Sequence, residues 1–149
     1  MLSRRQLLNV AVAAFVARVT SPAWAEEPRN VNAFNARSPE SALGALGLPA
    51  AVETSLIEII APDVAENGAN VPVEVMIRLP NVERILLIGE RNVFPLLADI
   101  QVGPRAVPWF EVKVKMAETS HLRVYAVSNG ELHTASHQVR VIVGGCLPG

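Results

Sequence analysis

From Ser55 onward, apolar and polar side chains alternate in several separate runs. Every second residue is apolar from Val71 to Leu79, from Phe110 to Met116 and from Val139 to Val143. A period of two is typical of a β-strand that buries one face. Further short apolar strands are predicted at residues 56–60, 85–88, 96–100 and 122–126. Together these runs predict about eight short strands, which is the pattern of a β-sandwich.

Turn and cap residues separate the predicted elements. Residues 128–131 (SNGE) contain the Asn-Gly pair that favours a tight hairpin, and residues 119–120 (TS) are interpreted as another hairpin turn. Before the strands, residues 38–40 (SPE) combine a serine N-cap with proline at the first helical position, which predicts a helix. Two glycines and a proline in residues 44–49 keep that helix short. The polar segment 26–37 is expected to be irregular.

Composition agrees with a folded domain built on an aliphatic core. Half of the 149 residues are apolar, 18% are charged and only 5% are aromatic. The length suits one domain. The formal net charge of −1 argues against nucleic acid or an anionic membrane as a partner. The sequence therefore predicts an all-β, immunoglobulin-like sandwich, without the paired cysteines and core tryptophan of antibody domains.

The first 25 residues are interpreted as a secretory signal peptide. Arg4 and Arg5 precede an apolar stretch at residues 7–17, and residues 23–25 (AWA) form an A-x-A cleavage site. The apolar stretch is too short to span a bilayer, so no membrane anchor is predicted. Residues 3–8 (SRRQLL) resemble a twin-arginine signal. The alternative is an ordinary secretory signal that contains two arginines.

Cys146 is the only cysteine of the chain and follows Gly144 and Gly145 near the C-terminus. An internal disulfide is impossible, so in an oxidising compartment this thiol is an intermolecular partner or a reactive group. Two glycines allow a wide range of backbone angles, which predicts a flexible arm that carries the thiol into another protein's cleft. No His, Lys or Arg follows Arg140 to favour the thiolate. We therefore expect a partner enzyme to supply the chemistry, the alternative being a terminal cysteine without function.

Three segments, in the right order, resemble the SoxY family, the sulfur-carrier subunit of the periplasmic thiosulfate-oxidising (Sox) system. They are residues 59–73 (IIAPDVAENGANVPV), 114–120 (VKMAETS) and 143–146 (VGGC), and the resemblance covers most of the mature chain. It implies an immunoglobulin-like fold, a periplasmic location and a carrier protein, not an enzyme, that needs no cofactor. It also implies that a sulfur intermediate is bound covalently to Cys146, with Gly144 and Gly145 as the flexible arm.

The resemblance implies partners as well. These are a SoxZ-like subunit in a tight heterodimer, a SoxAX-like haem c enzyme that joins thiosulfate to the cysteine, and a SoxB-like hydrolase that releases sulfate. One feature departs from the family, whose arm usually ends Gly-Gly-Cys-Gly-Gly, because residues 147–149 here are Leu-Pro-Gly. Proline stiffens the outer arm and Leu147 adds an apolar group. Compatibility with the standard partners is therefore open, and a divergent paralogue is an alternative.

These interpretations divide the chain into four parts. Residues 1–25 are a twin-arginine-like signal peptide, 26–54 an N-terminal segment with a short helix, 55–143 the sandwich and 144–149 the carrier arm. A hypothesis from another functional class is an exported immunoglobulin-like interaction module without covalent chemistry. An enzyme acting alone is disfavoured because no catalytic set is clustered in the sequence.

Histidines and apolar residues elsewhere are further candidates for a metal site or a partner-binding edge. His133 and His137 are four residues apart and are interpreted as flanking a turn, with His121 on a nearby strand. Metal ligands must converge, so we interpret the spacing as chance and predict no metal site. Residues 93–97 include Val, Phe and two Leu that indicate either a partner-binding edge or core packing. Trp109 is expected to start a strand at the edge of the sandwich.

Overall fold

The computed structural model describes residues 29–142. The predicted signal peptide, Gly144, Gly145 and Cys146 lie outside this range. Within it there are two short helices and nine strands, which are α1 (Val31–Phe34), α2 (Pro39–Ala45), β1 (Val52–Glu53), β2 (Ile57–Ile60), β3 (Val64–Ala65), β4 (Val71–Ile77), β5 (Val82–Gly89), β6 (Leu96–Gln101), β7 (Trp109–Val114), β8 (Ser120–Ser128) and β9 (Glu131–Val141).

The strands form two sheets. One has the order β1-β9-β8-β5-β6, with β3 pairing beside β1 on the outer edge of β9, and the other has the order β2-β4-β7. β1 and β3 run parallel to β9, and the other pairs are antiparallel. The predicted all-β, immunoglobulin-like sandwich with a short N-terminal helix is confirmed.

The main core lies between the two sheets. β4 contributes Val71, Val73 and Val75, and β8 contributes Leu122 and Val124, all of them fully buried or nearly so. Alternate residues of each strand therefore face inward, as the period of two requires. Burial of each such side chain stabilises the fold by about 1.5–3 kcal/mol.

A second core joins the helices to the outer face of the larger sheet. Leu86 and Ile88 of β5 pack there with Tyr125 of β8 against Ala33 of α1 and Ala42 of α2. β5 is thus buried on both faces, which explains why the run at residues 85–88 is apolar without alternation. Burial raises the pKa of Tyr125, although the neighbouring Arg123 acts in the opposite direction.

Arg123 links three parts of the larger sheet. Its Nε donates to Glu90 at 2.7 Å, just after β5, and one terminal nitrogen donates to Glu53 of β1 at 2.8 Å. Burial by itself lowers the pKa of Arg123, but the hydrogen bonds to both carboxylates outweigh it and raise the pKa. This pair of contacts fastens β1 and the end of β5 to β8.

Local structure confirms two sequence predictions. Ser38 caps α2, because its side chain accepts from the Ser41 backbone N–H while the Ser41 hydroxyl accepts from the Ser38 N–H. Asn129 and Gly130, with φ of 52° and 80°, form the predicted reversal between β8 and β9. Both residues occupy the left-handed region that a tight two-residue hairpin requires.

Two other local predictions were wrong. Residues 119–120 do not form a hairpin turn, because Ser120 is the first residue of β8 and the preceding strand β7 belongs to the opposite sheet. Residues 31–34 are not irregular but form α1, where Asn30 accepts a hydrogen bond from the Ala33 N–H at 3.0 Å. In this short helix, capping and the burial of Ala33 offset a sequence of weak helix formers.

Candidate functional site

The structure describes the domain up to the point where the predicted arm begins. β9 ends at Val141, and Ile142 is the last described residue before Gly144, Gly145 and Cys146. We call residues 140–142, together with the groups that hold them, the arm base. Its contacts hold the last described residues before the predicted arm.

The first contact at the arm base is a short parallel pairing. The Arg140 N–H donates to the Asp63 carbonyl at 2.9 Å, and the Ile142 N–H donates to the Ala65 carbonyl at 3.0 Å. These bonds flank the two residue pairs of β3 and β9, in which Val64 faces Arg140 and Ala65 faces Val141. Main-chain hydrogen bonds from β9 to residues 63–65 therefore hold one edge of β9 as far as the end of the strand.

The second contact comes from a single hydroxyl on the other edge of β9. The regular pairing of β8 with β9 ends at Ser120 and Val139. Beyond that point the Val141 N–H donates to Thr119 Oγ1 at 2.9 Å, and the same hydroxyl donates to the Val141 carbonyl at 3.4 Å. Thr119 thus takes the place of one more strand residue and satisfies both main-chain groups of Val141.

The third contact is a close approach at Gly68. Its carbonyl accepts from the Met116 N–H at 2.7 Å. A Cβ at Gly68 would lie 2.5 Å from the Met116 carbonyl oxygen and 2.7 Å from Val141 Cγ1, closer than real Cβ atoms approach. Asn92 supports this connection, because its side-chain amide donates to the Lys115 carbonyl and its oxygen accepts from Ala117 N–H.

The arm base therefore joins two stretches that are far apart in the sequence. Residues 59–73 supply β3 and Gly68, and residues 114–120 supply Met116 and Thr119. The sequence pattern marks Thr119 only as part of a predicted turn and assigns no role to Gly68, because nothing local marks a hydroxyl or a glycine that acts on a distant strand.

The titratable side chains of β8 and β9 do not converge on the arm base. Asp63 is 89% exposed and its Oδ1 lies 3.2 Å from His137 Nε2. His133 and His137 both lie within β9, so the prediction that they flank a turn was wrong. His133 pairs instead with Glu131 at 3.8 Å, and His121 with Glu90 at 3.7 Å.

Each of the three histidines thus faces a different carboxylate. Within residues 29–142, no group of three or more His, Cys, Asp or Glu side chains could hold a metal ion. The arrangement at the arm base is a hydrogen-bonded support for the end of a strand.

Comparison with known proteins identifies the family. A family model for the sulfur oxidation protein SoxY matches residues 43–146, a range that includes the arm base and Cys146. The chain belongs to the SoxY family. SoxY proteins are sulfur carriers and not enzymes, so membership assigns the chain a carrier role in sulfur oxidation.

Solved structures agree with this assignment. The sulfur carrier protein SoxY from Chlorobium limicola f thiosulfatophilum is 33% identical, with 70% of this chain and 94% of that chain covered and a TM-score of 0.63. A variant of superoxide reductase (neelaredoxin) from Ignicoccus hospitalis is 20% identical, covers 70% of this chain and 93% of its own, and has a TM-score of 0.51. The latter likeness concerns the fold alone. No curated protein matches the present chain.

The described part of this SoxY protein also bears on the membrane. Neither α1 nor α2, the helices within residues 29–142, has the length and apolar character needed to cross a bilayer.

Replacing Thr119 by valine is expected to loosen the arm base. The change keeps the size of the side chain but leaves the Val141 N–H without its acceptor, at a cost of about 1–3 kcal/mol. Hydrogen exchange followed by NMR should show faster exchange of the Val141 amide, and urea unfolding should show the lower stability. Thr119→Ser, which keeps the hydroxyl, is the control. Equal Val141 exchange in Thr119→Val and the wild type would contradict this role of the hydroxyl.

Gly68→Ala tests the close approach. The added methyl group would push against the Met116 carbonyl and Val141, and we expect the free energy of unfolding to fall by about 1–3 kcal/mol in urea titrations. Gly103→Ala is the matched control, because a Cβ at Gly103 meets nothing within 4 Å. If both variants unfold at the same urea concentration, the close packing around Gly68 does not exclude a methyl group, which would contradict the role given to Gly68 in the arm base.

Proposed function

We propose that this SoxY protein is a periplasmic carrier that holds thiosulfate-derived sulfur intermediates covalently on Cys146. The observation that carries the proposal is the family match, which extends to Cys146, the only cysteine of the chain. The arm base supports it, because it fixes the strand that leads to this cysteine. A carrier needs a fixed body and a movable attachment point, and the proposal assigns these two roles to β9 and to residues 144–149.

Gly144 and Gly145 are proposed as the tether. Cys146 lies four positions after Ile142, so a fully extended arm would carry the cysteine roughly 13 Å from Ile142. This reach is enough to enter the cleft of a second protein while the sandwich stays outside. Ile142 is itself half exposed, which gives a docking enzyme an apolar contact where the tether begins.

The proposed chemistry is shared among partners. A SoxAX-like haem c enzyme would join the Cys146 sulfur to the sulfane sulfur of thiosulfate, and its haems would accept the two electrons released as the new S–S bond forms. A SoxB-like hydrolase would then add water to the terminal sulfonate, breaking its S–S bond and releasing sulfate, which leaves a persulfide on Cys146. In this scheme the chain is a substrate that passes between enzymes.

Export and assembly complete the proposal. Residues 1–25 would direct the chain through a twin-arginine-type pathway and be removed, leaving the N-terminal segment 26–54, the sandwich 55–143 and the arm 144–149. That pathway carries folded cargo, so a heterodimer with a SoxZ-like subunit could cross the membrane already assembled. α1 and α2 pack on the larger sheet, so the N-terminal segment contributes to the body of the carrier.

The test is the intact mass of the exported protein from cells grown with and without thiosulfate, for the wild type and for Cys146→Ser. We expect adducts of thiosulfate-derived sulfur on the wild type in the presence of thiosulfate, and none on the serine variant. Urea unfolding and binding to the SoxZ-like subunit serve as controls and should be unchanged by the substitution, because Cys146 lies outside the predicted sandwich 55–143.

The alternative hypothesis makes the opposite prediction. An exported interaction module without covalent chemistry would keep an unmodified thiol under both conditions, and cells with Cys146→Ser would oxidise thiosulfate as well as the wild type. That pair of results would overturn the carrier proposal for this chain.

A further inference from the structure

A groove runs between the helical layer and the edge strand β6. It has a volume of about 620 Å³, with Arg29, Phe34 and Leu46 on the helical side and β5–β6 residues, including Arg84 and Asp99, on the other. A second cavity of about 400 Å³ shares Arg29 and Phe34 with it. We call these two neighbouring cavities the β6 groove. It lies outside the arm base and has no role in the proposed chemistry of Cys146.

The strand beside this groove has an open edge. Within residues 29–142, β6 pairs with β5 and with no other strand. The Val102 N–H, directly after β6, donates inward to the Glu83 carbonyl. Main-chain groups alternate in direction along an antiparallel strand, so those of Gln101 and Asp99 point away from β5. An extended segment of another protein could pair with these groups as an added strand.

Arginines stack on two aromatic side chains that line the β6 groove, Phe34 and Phe94. Arg29 stacks on the Phe34 ring, with its Cζ 3.6 Å from the ring centre, and Arg37 stacks on Phe94 at 4.2 Å. Within the described part of the chain, neither guanidinium forms an ion pair with a carboxylate. A stacked guanidinium keeps N–H donors at its edge, where they can bind a carboxylate.

The carboxylate in the groove does not cancel this charge. Asp99 accepts two hydrogen bonds of 2.7 Å from Arg84, so its charge is already neutralised by a bidentate pair. The apolar side chains beside the arginines are exposed, with Phe94 at 45% and Val93 at 61%. Residues 93–97 had two interpretations, a partner-binding edge or core packing. Core packing applies to Leu96, which is buried, and not to Val93 and Phe94.

We propose that the β6 groove binds an extended acidic segment of a partner protein, which pairs with the backbone of β6. Carboxylates of the segment bind Arg29 and Arg37, and its apolar residues lie against Phe34 and Phe94. The open strand edge sets the extended form of the ligand, and the two arginines set its charge. Alternate side chains of a bound strand point to opposite faces, so a segment that alternates acidic and aliphatic residues fits both requirements.

The probe for the first experiment is a labelled octapeptide of alternating glutamate and valine, and the matched control is the same peptide with lysine for glutamate. Binding to the exported protein at pH 7 is followed by fluorescence anisotropy and by ¹⁵N NMR. We expect the glutamate peptide to bind about tenfold or more tightly than the lysine peptide. Its addition should shift and protect the Asp99 and Gln101 amides.

Charge reversal provides the second arm. Arg29→Glu combined with Arg37→Glu should weaken the glutamate peptide by about tenfold or more and improve the lysine peptide. Arg105→Glu combined with Lys113→Glu makes the same change in net charge at exposed positions outside the groove and outside the arm base. It should alter either affinity by less than about threefold, because distant exposed charges are screened.

Three results would overturn the proposal. One is equal binding of both peptides, or no binding of either at millimolar concentration. Another is NMR shifts that fall on another strand edge and not on β6. The third is self-association that depends on Arg29 and Arg37, seen as a concentration-dependent mass by light scattering, which would assign the groove to a second copy of this chain. All three readouts are independent of Cys146, so failure here leaves the carrier proposal untouched.

Discussion

The arrangement of this domain depends on the end of β9 being hydrogen-bonded on both edges. On one side, main-chain carbonyls of residues 63–65 accept from Arg140 and Ile142, and on the other the Thr119 hydroxyl accepts from Val141. A strand end ordinarily frays, because its last groups have no partners. Here the partners come from both of the other segments that carry the family resemblance. The two-sided bonding keeps the described part of the carrier regular up to Ile142.

The larger sheet also separates the arm base from the β6 groove. The arm base lies on β9, and the β6 groove lies at the opposite edge, with β8 and β5 between them. Neighbouring strands are about 4.8 Å apart, so the two sites are separated by roughly 14 Å of hydrogen-bonded sheet. β5 and β8 are buried on both faces by the main core and by the helices, which makes this spacer stiff. The arm base and the β6 groove are therefore held at a fixed spacing.

Much of this fold could be predicted from the sequence because its signals are local. Alternation in β4 and β7, the Asn129-Gly130 reversal and the Ser38 cap each depend on a few adjacent residues. The parts that could not be predicted depend on distant partners. β1 and β3 have two residues each, too few to show a period, and they form because β9 offers an open edge. Thr119 was interpreted as part of a turn, since its role depends on Val141. The position of Cys146 pointed to a carrier arm, whereas the support beneath that arm required the tertiary structure.

The parallel pairing of β3 with β9 has a consequence for the biosynthesis of the protein. It joins residue 64 to residue 140, and closing so long a loop costs entropy that only the assembled core repays. The contacts of the arm base cannot form until β9 has been synthesised, and β9 is the last of the strands that the structure describes. A truncated or partly folded chain lacks this anchor entirely. The arm base thus comes into existence only in the finished domain, which would link the proposed carrier role of Cys146 to completion of folding.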